Sequence, residues 1–385
     1  MIQSNGEKLY QERYQNNPTA ASQAPGRVEI LGNHTDYNGG FVLTVAIDKT
    51  ISLHGEACSE PFAAIYSAAL DDETRFPLDQ IERDPQHMWA NYVKGVLLQL
   101  RKRGISFGGF RAVISGDLPI GGGVSSSAAL EAASALFVKA LYPYDMDVMN
   151  MAKLCRAAEN EFVGMPCGLL DQFSSFFGKQ DSFLCLDCQT LEHKSLTLTV
   201  EAPRLVLCDS GVKHELVESE YKDRRGQCEG AARTLGEHLG REVSMLRDIS
   251  ILEFMDLEDV LDDVQRIRAR HVFYENQRVQ RGVAALQLND LKHLGELVHQ
   301  SHESSRDLFE NSCPELDFLV EQAVQIEGCY GAKLTGGGFG GWTVNLVESD
   351  QVDPFVAKIT EYFEQKYGRA CKTMVCAIGD GARIL

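Results

Sequence analysis

Long apolar runs are absent. No stretch of the 385 residues approaches the ~18 needed to cross a bilayer, and the opening MIQSNGEKLYQERYQNN holds no apolar core of the kind that marks a secretory signal. Positive charge is scarce: 37 Lys and Arg face 55 Asp and Glu, a formal net charge of −18. Phosphate backbones are held by clustered Lys and Arg, so this balance argues against nucleic acid as a partner. An anionic substrate must instead be caught by a local device such as a helix N-terminus, a metal ion or a few placed cations. Cysteine lacks pattern. There are 11, scattered, and the C-x-x-C of Cys185 and Cys188 in FLCLDCQTL has no second pair to complete a zinc site. That run reads better as a strand than as a metal or redox motif, and the cysteine usage predicts a reducing, cytoplasmic setting. Repeats and low-complexity tracts are missing too.

What remains is globular: 44% hydrophobic and 24% charged residues, at a length that suits roughly two or three domains. FVLTVAIDKTISLH (41–54) and RAVISGDLP (111–119) read as strands. After the second come Gly121, Gly122 and Gly123, then Ser125, Ser126 and Ser127, then the helix formers AALEAASALFVKAL. In 147–163, Val148, Met151, Leu154, Cys155, Ala158 and Phe162 recur at helical spacing, with Gly164 as a stop. RLVLCDSG (204–211) predicts a new strand, and the domain boundary is placed beside it, giving lobes 1–200 and 201–385. From 212 to 330 the pattern is mostly helical; GAKLTGGGFGGWTVNLV is strand-like, and a helix and strand come after it.

Four segments carry chemistry. In LPIGGGVSSSAALE (118–131) the glycines allow close backbone approach, and the helix start offers unpaired N–H groups and partial positive charge, which suits a polyphosphate. The plain alternative is a serine cap after a glycine turn, and no G-K-[ST] of a Walker loop is present. TGGGFGG (335–341) matches G-x-G-x-x-G, yet a strand rather than a helix comes next, which argues against a dinucleotide site. It is either a turn serving the fold or a bare backbone wall against the phosphate loop. APGRVEILGNHTDYNGG (24–40) gathers Arg27, Glu29, Asn33, His34, Asp36, Tyr37 and Asn38, a density that suits a polyhydroxylated ligand or a surface loop. In GMPCGLLDQFSSFFG (164–178), Asp171 stands in an apolar stretch, as a structural cap or a catalytic carboxylate.

Together and in this order, these segments resemble the galactokinase branch of the GHMP small-molecule kinases. WANYVKGV (89–96), AENEFVGMPCGLLDQF (158–173), DSGVKHELVESEYKDRRGQCE (209–229), RARHVFYENQRV (268–279) and SHESSRDLFENSCPELD (301–317) extend the likeness from about residue 24 to 345. The resemblance implies a two-lobed α+β fold, with a ribosomal-S5-like N-terminal lobe, a ferredoxin-like C-terminal lobe and an active-site cleft between them. It implies transfer of the ATP γ-phosphoryl group to the C1 hydroxyl of galactose, in a monomer or weak homodimer whose partners are the sugar and ATP. Asp171 falls on the catalytic aspartate and Arg27 on the arginine beside it, whose charge keeps the carboxylate ionised. Ser127, with Ser126 as a partner, and Glu159 fall on Mg2+ ligands, and Trp89 on an aromatic that contacts adenine. Asn33, His34, Asp36, Gly168 and Tyr221 fall on positions that hold sugar hydroxyls, while Gly121, Gly122, Gly123 and Ser125 complete the phosphate loop.

The chain departs from the family in two places. Galactokinases usually read G-R-V-N-x-I-G-E-H-T-D-Y-N, whereas Glu29 stands here for the Asn and Asn33 for the Glu. An amide at 33 can donate as well as accept, which opens a preference for another sugar such as arabinose, N-acetylgalactosamine or a sugar acid. The reciprocal exchange suggests one pocket whose groups have traded positions. Gly337 replaces the usual Ala, small for small. A sugar and ATP sensor without catalysis is the rival outside enzymes, but its damaged serine loop is not found in SSSAALE.

Overall fold

The computed structural model describes residues 5–120, 123–165, 167–212 and 217–385, the side chains of 217 and 218 excepted. In chain order its strands are β1 (Ala20–Leu31), β2 (Phe41–Cys58), β3 (Phe62–Ser67), β4 (Asp72–Pro77), β5 (Gly109–Gly116) and β6 (Ser182–Asp187). Then come β7 (His193–Thr197), β8 (Arg204–Asp209), β9 (Cys329–Thr335), β10 (Trp342–Val347), β11 (Thr373–Cys376) and β12 (Arg383–Ile384). The expected strands at 41–54, 111–119 and 204–211 are thus present. The chain forms two compact units. The first takes the chain up to Arg27, Ala46–Lys179 and Gly379–Leu385; the second takes Val28–Val45 and Gln180–Ile378. This division is more interleaved than a single cut near 200, because β1 and β2 contribute residues to both units and the last residues return to the first.

In the first unit the strands run in the order β12-β1-β2-β5-β3-β4. β2 and β5 run antiparallel from Ile51↔Gly116 to Cys58↔Gly109, while β3 lies parallel to β5. A parallel pairing needs a long crossover, and the intervening chain supplies one with the helix Ala90–Lys102. β12 closes the edge of β1 through Ser22↔Ile384. The helix expected after the serines runs Ser126–Leu141, and it is buried from Ala128 to Val138, where its alanines permit close packing. The helical pattern of 147–163 begins at Val148, capped by Asp147, whose side chain accepts from the Asn150 N–H. It does not remain an α-helix. From Ala158 to Val163 it widens into a π-helical turn, in which the Gly164 N–H bonds the Glu159 carbonyl at 2.9 Å, and Gly164 (φ 87°) ends it.

In the second unit an antiparallel sheet has the order β11-β8-β10-β9. Its core sets Val206, Leu319, Val320, Phe355 and Phe363 together. A second core joins Cys228, Leu235, Phe254, Phe273 and Phe309 among the helices Val217–Leu239, Ile251–Leu257 and Asp263–Gln287. The helix Leu291–Ser304 also ends in a π-helical turn, Ser305–Phe309, closed by Glu310 in the left-handed region (φ 53°). Largely antiparallel sheets, with the β3–β5 pair the parallel exception, and segregated helices make the class α+β, as expected.

Candidate active site

The first unit assembles a carboxylate and a guanidinium from distant parts of the chain. Gly26 makes the approach possible: a Cβ there would meet a Leu118 methyl at 2.5 Å and the Val124 carbonyl at 2.6 Å. The next residue, Arg27, then lies buried against the serine loop, its backbone N–H on the Val124 carbonyl and its Nη1 on the Gly123 carbonyl at 2.7 Å. Its Nε and Nη2 both donate to Asp171 Oδ1, each at 2.8 Å. Asp171 itself stands in the first turn of the helix Leu170–Phe177, where a negative charge meets the positive end of the helix dipole.

The serine loop does not form the plain helix cap. Ser125 precedes the helix in a left-handed conformation (φ 57°, ψ 50°) and makes no side-chain cap bond. Such a backbone costs a residue with a Cβ about 1–2 kcal/mol. Its hydroxyl donates instead to Asp171 Oδ2 at 2.5 Å. Ser126 and Ser127 occupy the first helical turn, half-buried, and Gly123 adopts φ 68°. Gly121 and Gly122 lie outside the described residues.

One turn deeper, Ser127 hydrogen-bonds Glu159, so the two expected Mg2+ ligands do meet. The spacing from Ser127 to Glu131, four residues along one helix face, adds a second carboxylate that the motifs alone do not single out. Gln172 Nε2 bridges them, donating to Glu131 Oε2 at 3.0 Å and Glu159 Oε2 at 2.7 Å. Burial, then the charge of Glu159, pushes the Glu131 carboxyl well up; burial, then Asp171, raises Glu159. Among the described residues Glu131 Oε1 is buried without a hydrogen-bond partner. An all-oxygen donor set of carboxylates that raise one another suits a hard divalent cation such as Mg2+. Cys167 donates its thiol to Glu159 Oε2 at 3.4 Å, and the half-buried Gly168 comes next in the chain. Trp89 is tied elsewhere, its indole N–H on Asp72 Oδ2 at 2.7 Å.

The second unit holds the segment after Arg27. Glu29 does not face open space: its Oε1 accepts from Lys333 Nζ at 2.6 Å, with both side chains almost fully buried. Asn33 is 1% exposed. Its oxygen accepts from Ser305 Oγ (3.2 Å) and Asn311 Nδ2 (3.0 Å), while its Nδ2 donates to the Gly336 carbonyl (3.0 Å). Among the described residues, these bonds take both lone pairs of the amide oxygen and one of the amide's two N–H groups. His34 adopts φ 60° and also has both ring nitrogens engaged. Its Nε2 faces the Gly337 carbonyl at 3.1 Å and must donate, so Nδ1 accepts from the Tyr37 hydroxyl at 2.9 Å. Burial, reinforced by His271, drives its pKa down to about 3. Its ring stacks on Phe309 at 4.4 Å and packs by Tyr221 at 5.3 Å, so Tyr221 does join this loop. Asp36, half-buried, opens the short 3-10 turn Asp36–Asn38.

A clamp from the helix Asp263–Gln287, unforeseen in the sequence, fixes this loop. The fully buried Glu275 accepts at Oε1 from the Gly32 N–H (2.9 Å), the Asn33 N–H (3.3 Å) and Ser301 Oγ (2.7 Å), and at Oε2 from Arg278 Nε (2.6 Å). Burial alone raises its pKa, but Arg278, His271 and Lys333 bring it below the usual carboxylate range. His271 donates from Nε2 to the Asn33 carbonyl at 2.9 Å, and burial takes its pKa down to about 4. The second glycine cluster is a β9–β10 turn with Gly336, Gly338 and Gly341 at positive φ, leading into a strand. Its Gly336 and Gly337 carbonyls meet Asn33 and His34, so within the second unit the glycine turn forms a bare backbone wall against that loop.

Comparison with known proteins gives three family matches: the GHMP kinases N terminal domain over residues 91–179, the galactokinase galactose-binding signature over 8–55 and the GHMP kinases C terminal over 283–365. The chain is 39% identical over 372 residues to a galactokinase of Roseiflexus sp. (strain RS-1), covering 97% of this chain and 94% of the relative. It is 38% identical over 385 residues to a galactokinase of Homo sapiens, covering 98% and 95%. In structure it is similar to Lactococcus lactis galactokinase complexed with galactose, with TM-score 0.91, 30% identity and 98% of each chain covered.

Proposed function

The chain belongs to the galactokinase branch of the GHMP kinase family, and on that premise we propose that it transfers the γ-phosphoryl group of ATP to the C1 hydroxyl of galactose. The products are galactose 1-phosphate and ADP. The observation that carries this reading is the pairing of Arg27 with Asp171 Oδ1 beside the serine loop. The guanidinium holds one carboxylate oxygen and leaves the other to receive a proton. As the C1 oxygen forms its bond to the γ-phosphorus, the bond from that phosphorus to the β–γ bridging oxygen breaks. The hydroxyl proton passes to Asp171 Oδ2, and ADP leaves with the bond's electron pair. Phosphoryl transfer asks little covalent work of a protein, so rate comes from positioning and charge stabilisation. The amides at the start of Ser126–Leu141 suit the phosphates. Ser127 and Glu159 would hold Mg2+, which when bound neutralises phosphate charge. Trp89 is assigned to adenine, and Asn33, His34, Asp36, Gly168 and Tyr221 to the sugar. The protein acts in the cytoplasm as a monomer or weak homodimer.

The test is ADP release with a panel of sugars, ATP and Mg2+. Galactose should be the preferred acceptor, and Asp171→Asn should abolish turnover while calorimetry finds ATP bound as in wild type. Wild-type kcat in that variant overturns the base assignment. One observation favours a second reading on specificity: the Asn33 oxygen is saturated within the protein, so it offers a sugar hydroxyl only a donor. Faster turnover of arabinose, N-acetylgalactosamine or a sugar acid than of galactose in the same panel would establish it.

A further inference from the structure

We propose that Ser125 is a positioning residue for Asp171 and not a phosphate contact. This rests on the reading of Asp171 as the proton acceptor. Two independent observations meet at the residue. It holds a left-handed backbone that favours glycine, in a segment where glycine stands at the nearby Gly123 and serine at the next two positions. Yet its hydroxyl is turned onto Asp171 Oδ2 at 2.5 Å and away from the orphan amides of its own helix, where a serine at this position ordinarily caps. The strain is therefore coupled to the carboxylate. A carboxylate has about four lone-pair sites. Arg27 Nε and Nη2 occupy those of Oδ1, and Ser125 occupies one of Oδ2. Among the described residues this leaves a single lone pair, on Oδ2, to meet the sugar hydroxyl. Ser125 thus fixes the rotation of the carboxylate and selects the direction from which the proton arrives. Orientation of this kind acts on the chemical step and not on ground-state binding.

The two variants Ser125→Ala and Ser125→Gly separate this role from a structural one. Both remove the hydroxyl, but only alanine retains the strained Cβ, so the glycine variant should melt a few degrees above the alanine variant. Despite that difference, both should lose kcat alike, on the order of 10- to 100-fold, the loss expected of a hydrogen bond to a charged group. KM for ATP and for the sugar should stay at their wild-type values. Wild-type kcat in Ser125→Gly overturns the proposal, as does a kcat that tracks the melting temperature. A raised KM for ATP at unchanged kcat also overturns it and returns Ser125 to the phosphate loop. Asp171→Asn, assayed alongside, keeps the two failures apart. If it is inactive while Ser125→Gly is unimpaired, only the positioning role falls; if it turns over normally, the assignment of the base falls and takes this proposal with it.

Discussion

At the scale of residues, the exchange of Glu29 and Asn33 acquires a physical carrier in Lys333. The ammonium is fully buried and its carboxylate partner is Glu29, so removing that partner strands a charge. Glu29→Asn should therefore cost about 3–5 kcal/mol of stability, measured by chemical denaturation. The Lys333 charge is also felt by His34 and Glu275, which flank or clamp residue 33. A carboxylate at 33 would enter the same field. The combined Glu29→Asn/Asn33→Glu variant should lose less stability and less activity than the sum of its single variants, and strictly additive losses would reject the idea of a shared pocket. The sequence made this pair visible as an anomaly in a motif. It could not reveal Lys333, because a buried lysine 304 positions away leaves no local mark.

Elements were legible where the signal is local. The strands at 41–58, 109–116 and 204–209 arise from β-branched runs, and the helix Ser126–Leu141 from its formers after the serines. Long-range clamps were not. Glu275 reads as one charge on a helix face, and only the fold brings it to Gly32 and Asn33. Gly295 is another case. In a helix, glycine reads as a weakness, but here a Cβ would lie 1.9 Å from the Tyr330 carbonyl, and one on Gly331 would lie 2.0 Å from the Gly295 carbonyl. The helix Leu291–Ser304 and β9 are thus in backbone contact, and β9 carries Lys333 and leads to Gly336. Gly295→Ala should destabilise the protein by about 1–3 kcal/mol or more. It should also raise KM for galactose more than KM for ATP, as initial-rate kinetics would register. Equal KM values with wild-type stability would contradict this packing.

For the whole molecule, acid is the expected weakness. His34 and His271 are buried and neutral, with pKa values of about 3 and about 4, whereas an unfolded imidazole takes up its proton near 6.5. Below that pH the unfolded chain binds more protons than the folded one. Stability therefore falls as pH drops from about 6.5 to about 4 for His271, and on to about 3 for His34, at about 1.4 kcal/mol per unit for each ring. Melting temperatures across that range should show the slope, and His271→Gln should make it shallower; an unchanged slope would show that the ring is not responsible. Composition foretold an acidic protein but not this window, which depends on two rings whose burial no single stretch of sequence encodes. The two π-helical turns have a consequence for the chain as a hereditary text. Each is one residue longer per turn than its helix needs, and each presents side chains to the loops described above: Glu159 to Gln172 from the first, Ser305 to Asn33 and Phe309 to His34 from the second. Loss of a single codon in either would let the helix regain its ordinary pitch with the downstream chain kept in register, erasing the widened turn that presents these side chains. A reading-frame-preserving deletion, harmless in many surface loops, would there remove the contacts to Gln172, Asn33 and His34 while leaving both helices standing, and should lower activity.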